Sequence, residues 1–153
     1  MTKILLAEDD NDMRRFLEGA LIKAGYDVVA FDNGAGAYDR LREEPFTLLL
    51  TDIVMPEMDG IELARRATEI DPDIKVMFIT GFAAVALNPD SKAPKDAKVL
   101  SKPFHLRDLV DEVEKMLAAA WRADSFVVYA SNQFMAMPRN GRLAQRESTT
   151  LTL

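Results

Sequence analysis

At 153 residues, 48% of them hydrophobic, the chain is long enough for one globular core without covalent staples, and its lack of cysteine excludes disulfides and thiolate metal sites. The net charge of −6 is unevenly held, at −8 over residues 1–120 and +2 over residues 121–153, and an acidic body argues against nucleic acid as a partner of the main domain. The apolar run Ile4–Ala7 is too short for a signal peptide or a membrane span, so a cytoplasmic protein with no membrane insertion is expected.

Lys3–Ala7 reads as a short buried strand with Glu8, Asp9 and Asp10 at its end. Met13, Phe16, Leu17, Ala20, Leu21 and Ala24 then recur with helical spacing, one apolar stripe stopped by Gly25. Tyr26–Phe31 returns to strand composition, and Asn33-Gly34 opens a second helix that carries Ala37, Tyr38 and Leu41 and ends at Pro45. Phe46–Thr51 is the third strand, a continuous apolar run of the kind buried on both faces, and it stops at the carboxylate of Asp52. Asp59 with Glu62 three residues on resembles a capping box for a helix through Ile61, Leu63, Ala64, Ala67 and Ile70.

Ile74–Ile79 is a fourth buried strand ending at Thr80. Phe82–Leu87 is apolar enough for a helix, which Pro89 and Pro94 limit to about two turns. Lys98–Ser101 is a fifth short strand, followed by Lys102-Pro103-Phe104 and a last helix with a stripe from Leu106 to Leu117. Strand and helix alternate five times with short connections, which predicts a parallel sheet with helices on both faces, a three-layer α/β sandwich over residues 1–120. Residues 121–153 lack periodicity, and a disordered tail with no effector domain is expected there.

In open parallel sheets the working site lies beyond the C-terminal ends of the strands. The groups expected there are Glu8, Asp9, Asp52, Thr80 and Lys102. If the first and third strands are neighbours, as in a 2-1-3-4-5 order, the carboxylates lie on strands about 4.8 Å apart. Charges so close hold protons unless a cation joins them, and a set of hard oxygen ligands suits Mg²⁺. A divalent ion beside Asp52, with Lys102 as a second positive charge and the Thr80 hydroxyl as a donor, would accommodate a phosphoryl group and make Asp52 a candidate nucleophile. Each residue also has a plainer reading: Asp9 or Asp10 as a helix cap, Thr80 as a turn residue, and Lys102 and the single histidine, His105, as surface groups.

The motifs ILLAEDD at Ile4–Asp10, TDIVMPEMDG at Thr51–Gly60, MFITGF at Met77–Phe82 and SKPF at Ser101–Phe104 resemble the receiver domain of bacterial two-component response regulators. The resemblance covers residues 1–120 and implies the CheY-like, flavodoxin-like fold with strand order 2-1-3-4-5. It implies Asp52 as phosphoacceptor and Thr80 and Lys102 as phosphoryl-binding groups. Asp9 would bind Mg²⁺ directly and Glu8 through water, with Asp52 and the Val54 carbonyl completing the set. It also implies a cis bond before Pro103. More narrowly, the stretches FDNGAGAYDRLREEPFTLLLTDIVMPEMDGIELARRA, FITGFAAVALN and KPFHLRDLVDEVEKMLA resemble a single-domain cell-cycle regulator of this family. That likeness implies a histidine phosphotransferase, fed by a hybrid histidine kinase, as donor, and an output as adaptor to the ClpXP protease, with ClpX and its substrates as partners.

Two departures from the family pattern stand out. Position 99, where many receivers carry Tyr or Phe, is Val99, so an aromatic rotamer switch cannot operate in that form. The helix after Thr80 is weak, and Phe82–Leu87 reads either as ordinary packing or as a mobile element that replaces the aromatic as the switch. Val54 and Phe82 also offer no polar group to orient a hydrolytic water, so slow autodephosphorylation is expected. The competing reading is a Mg²⁺-dependent phosphatase with an aspartyl intermediate, for which Asp10-Asn11-Asp12 has the spacing but Arg14 stands where Thr or Val belongs. A nucleotide or flavin carrier needs a glycine-rich phosphate loop, and none occurs. A homodimer through the last helix and fifth strand would leave no signature separable from core packing.

Overall fold

The structure, a computed structural model, describes residues 1–118; the tail reading falls outside them. Five strands and four helices alternate as β1 (Lys3–Ala7), α1 (Asn11–Lys23), β2 (Asp27–Phe31), α2 (Gly34–Leu41), β3 (Leu48–Asp52), α3 (Gly60–Ile70), β4 (Lys75–Thr80), α4 (Ala83–Leu87) and β5 (Lys98–Ser101). A last helix covers residues 106–118, with Leu109, Val113 and Leu117 buried. Residues Met1–Val110 form one compact unit, and Asp111 opens a second. Among the described residues no helix is long and apolar enough to cross a membrane.

All pairings are parallel and the order is β2-β1-β3-β4-β5, as expected for the receiver fold. β3 lies between β1 and β4, and all five of its residues are buried, which is why its sequence reads as an unbroken apolar run rather than an alternation. Leu5, Ala7, Leu49 and Phe78 on one face of the sheet pack with Ala37 and Leu41 of α2 and with Leu63, Ala64 and Ala67 of α3. Leu17 and Leu21 of α1 are also fully buried, outside that cluster.

Side chains capped the helices where the sequence predicts. Asp10 Oδ1 accepts from Met13 N at 2.8 Å and Asn33 Oδ1 from Gly36 N at 2.7 Å. At α3 the capping box is half-built: Asp59 Oδ1 accepts from Glu62 N at 2.8 Å, while the Glu62 carboxylate pairs forward with Arg66 at 2.6 Å. Several boundaries and faces differ from expectation. Phe46 and Thr47 precede β3 instead of belonging to it. Phe16 and Ile70, placed on apolar stripes by their spacing, are 63% and 43% exposed. α4 is one five-residue turn rather than two, with no side-chain cap, because Asn88 leaves the helical region ahead of Pro89.

The β3–α3 connection is the tightest part of the fold. Ile53 and Met55 anchor it in the core, and between Pro56 and Met58, joined by an N–H···O=C bond of 2.8 Å, Glu57 takes φ 71. The chain then returns so closely that a Cβ on Gly60 would lie 1.9 Å from the Asp52 carbonyl oxygen, while Gly60 N donates to Ile53 O at 2.8 Å. Gly60→Ala is therefore expected to destabilise the fold by roughly 2 kcal/mol or more. Gly19→Ala, on α1 with nothing within 4 Å, should instead stabilise it by about 0.5–1 kcal/mol. Urea midpoints of the two variants against the parent check both signs.

Candidate functional site

Strand register assembles the site. Ala7 pairs with Thr51 and Asp52 with Ile79, so Glu8, one residue beyond the end of β1, comes level with Asp52. Thr80 pairs with Ser101, and Lys102 N donates to Thr80 O at 2.8 Å, which carries the β4–β5 ladder one residue further and brings Lys102 to the same rim. Four strand ends thus deliver two buried acids, a fully buried hydroxyl and a partly buried ammonium to one place.

Glu8, Asp9 and Asp52 each offer a carboxylate oxygen within 4.8 Å of the others, a group able to hold a metal ion. Glu8 is fully buried and Asp52 8% exposed, whereas Asp9 faces solvent. The cap question is settled by geometry: Asp10 caps α1, leaving Asp9 to the acidic cluster. Lys102 Nζ lies 3.1 Å from both Glu8 Oε1 and Asp52 Oδ2 and so supplies the cation that the close carboxylates require. Burial raises the Glu8 carboxyl above its ordinary value, with the Asp52 charge adding to it, against the lowering by the Asp10 N–H and Lys102. Burial opposes the charge on Lys102, but hydrogen bonds to Asp52 and Glu8 and their negative charges outweigh it, and the ammonium is held above its usual range.

Further hydrogen bonds hold Glu8, Asp52 and Thr80 in place. Glu8 Oε2 accepts from Asp10 N at 3.1 Å, and Asp52 Oδ1 accepts from Ile53 N at 2.7 Å. Thr80 Oγ1 accepts from Phe82 N at 2.9 Å, which leaves its own hydrogen free to donate. Two residues, Arg14 and Thr51, make hydrogen bonds at the site that have no signal in the sequence. Arg14 donates to the Glu8 carbonyl at 2.9 Å and to Asn11 Oδ1 at 2.6 Å, tying the end of β1 to the first turn of α1. The Thr51 hydroxyl, counted by its neighbours as part of an apolar run, donates to the Asp52 carbonyl at 2.8 Å.

Val54, two residues beyond Asp52, is 54% exposed, and Phe82, two residues beyond Thr80, is 59% exposed. Leu87 is also exposed, and Val99 is partly buried against the core. His105 is exposed, and the Lys102-Pro103 bond is cis. A surface groove of about 640 Å³ lined by Asp59, Glu62, Arg65, Val85, Asn88 and Lys92, among others, contains none of the strand-end acids.

Comparison with known proteins agrees with this geometry. The chain is 84% identical over 120 residues to the response regulator receiver protein CpdR of Brucella abortus (strain 2308), a match that covers 78% of this chain and all of that one. Among solved structures it is similar to a CheY-like receiver domain protein from Methanospirillum hungatei JF-1, with a TM-score of 0.70, 26% identity, and coverage of 80% and 98% of the two chains. It is similar, too, to the response regulator protein TrrA of Thermotoga maritima, solved in complex with Mg²⁺ and BeF, at a TM-score of 0.65 and 27% identity over 75% of this chain and 98% of that one. The family model of the response regulator receiver domain matches residues 4–114, and the chain belongs to that family.

Proposed function

We propose that this receiver accepts a phosphoryl group on Asp52 from a phosphohistidine donor, a histidine phosphotransferase or histidine kinase, and that phosphorylation switches its binding to other proteins. The observation that carries the reading is the Lys102 ammonium, 3.1 Å from the carboxylates of Glu8 and Asp52 at the rim of the sheet. The donor set of Glu8, Asp9 and Asp52, all carboxylate oxygens, fits Mg²⁺, and the family resemblance would add the Val54 carbonyl as a further ligand. When bound, the ion would supply positive charge for the phosphoryl oxygens.

The chain's own groups account for the rest. In the transfer the P–N bond of the donor breaks, its electron pair returns to the imidazole, and an Asp52 carboxylate oxygen forms the new P–O bond. Lys102 is in place to compensate charge on the acceptor side, and Thr80 holds a free hydroxyl hydrogen for a phosphoryl oxygen. Asp10, the first acid of the Asp10-Asn11-Asp12 spacing, spends its carboxylate on capping α1, which argues against it as the nucleophile of an aspartyl phosphatase. Steady-state turnover of a phosphomonoester would favour that enzyme over the receiver. The reading takes residues 1–120 as the receiver, and the likeness to CpdR supports an adaptor role in ClpXP-mediated proteolysis during cell-cycle control, in the cytoplasm.

Full-length protein given a phosphohistidine donor and Mg²⁺ is expected to gain one phosphoryl group, labile to alkali and to hydroxylamine as an acyl phosphate is, that Asp52→Ala does not gain. A pulldown with parent and Asp52→Ala, each with and without donor, should recover a partner whose binding depends on donor only for the parent. Labelling of Asp52→Ala at the parent rate would overturn the assignment.

The apolar rim of Val54 and Phe82 leaves no side chain to orient a hydrolytic water, so loss of the phosphoryl group is slow. Val54→Asn should release phosphate several-fold faster, measured as decay of the labelled protein; an unchanged half-life counts against the rim.

The lightly held segment after Thr80 is the switching element. The hydrogen bond from Phe82 N reaches Thr80 Oγ1, so a phosphoryl group drawing on that hydroxyl acts directly on the uncapped start of α4. Val99, aliphatic and packed on the core, leaves that role to Phe82–Leu87. Hydrogen exchange over residues 81–97 should change when beryllofluoride and Mg²⁺ are added, and unchanged protection there would reject the idea.

A further inference from the structure

Thr51 is fully buried, and its register partners on either side are Ala7 and Phe78. Valine has the same shape and no hydroxyl to desolvate, so a buried hydroxyl here is unfavourable unless it finds a partner. The hydroxyl here finds its partner on the next residue, the Asp52 carbonyl, at 2.8 Å. That carbonyl belongs to the Asp52–Ile53 peptide, and the N–H of the same peptide donates to Asp52 Oδ1 at 2.7 Å. The peptide is planar, so its C=O and N–H turn together. Gly60 closes the other side, with its Cβ position 1.9 Å from the same carbonyl oxygen.

We propose that Thr51 is a positioning residue for Asp52: its hydroxyl fixes the Asp52–Ile53 peptide plane, which fixes Oδ1 through the Ile53 N–H and thereby aims Oδ2 at the Lys102 side of the site. The consequence for phosphoryl transfer rests on the reading of Asp52 as acceptor, and the aiming of the carboxylate does not. Without the hydroxyl the peptide can tilt on the side away from Gly60, Oδ1 loses its fixed donor, and Oδ2 leaves the 3.1 Å contact with Lys102. Small misplacements of a reacting oxygen are costly in rate because orientation supplies much of the acceleration.

The test compares full-length parent, Thr51→Val and Thr51→Ser. The first readout is the ¹H–¹⁵N signal and hydrogen exchange of the Ile53 amide: Val should move the signal and speed its exchange, and Ser, which restores the donor, should return both towards the parent. The second is phosphorylation by acetyl phosphate with Mg²⁺. Val should lower the maximal rate roughly tenfold at an unchanged half-saturating donor concentration, with Ser recovering most of it. A merely structural role would shift thermal stability in both variants and leave the Ile53 amide alike in all three. An Ile53 amide unmoved by Val, or moved equally by Ser, overturns the proposal, as does a Val variant that moves the amide yet keeps the parent rate. If the parent takes no phosphoryl group while the amide responds to Val and not to Ser, the positioning stands and the reading of Asp52 as acceptor is what fails.

Discussion

The ammonium of Lys102 between Glu8 and Asp52 is the contact on which the rest of the molecule depends. Removing carboxylates from water costs several kcal/mol each even after relaxation, and Glu8 is fully buried. Asp52 sits one strand away at the same level, so the two acids also repel. The cation that offsets both comes from the far end of the unit, 94 residues from Glu8 and 50 from Asp52. It arrives only if β5 pairs correctly with β4, because the bond from Lys102 N to the Thr80 carbonyl sets where the side chain begins. A slip of one residue in that short edge strand would turn the lysine to the other face and leave the acids uncompensated.

The two sides of this charge cluster are held very differently. On the β3 side the backbone is clamped: Ile53 and Met55 enter the core, Glu57 takes the positive φ that closes the turn, and Gly60 brings α3 against the Asp52 carbonyl. On the β4 side a single bond from Phe82 N to the Thr80 hydroxyl leads into a five-residue helix with exposed Val85 and Leu87. Regions with few buried contacts open at lower free energy than the core. A change of charge at the site would therefore be absorbed by the α4 side while the Asp52 backbone stays in place, and the proposed switch at Phe82–Leu87 draws on this asymmetry.

Much of the strand-end group was legible because a parallel sheet converts linear order into position: a polar residue that ends a buried run must lie at the carboxyl rim. Glu8, Asp52, Thr80 and Lys102 all end or follow such runs, and strand register brings them to that rim. Legibility ends where burial depends on what covers a face. Phe16 and Ile70 keep helical spacing with buried neighbours yet remain exposed, since periodicity defines a stripe without defining its width. Asp9 and Asp10 were equally plausible caps by composition, and only the Asp10 Oδ1 to Met13 N bond divided their roles.

The alternation of strands and helices, the doubly covered parallel sheet and the set of polar groups at its rim follow from sequence alone, because apolar periodicity and terminating residues are local properties. Which atoms those groups spend on one another is set by the fold in three dimensions. The Lys102 bridge, the Thr80 hydroxyl engaged by Phe82 N, the Thr51 hydroxyl on the Asp52 carbonyl and the glycine-width gap at residue 60 are of this kind. Each depends on register and on the direction of a side chain or peptide. Those are set when strands from distant parts of the chain pair, and no window of sequence contains them.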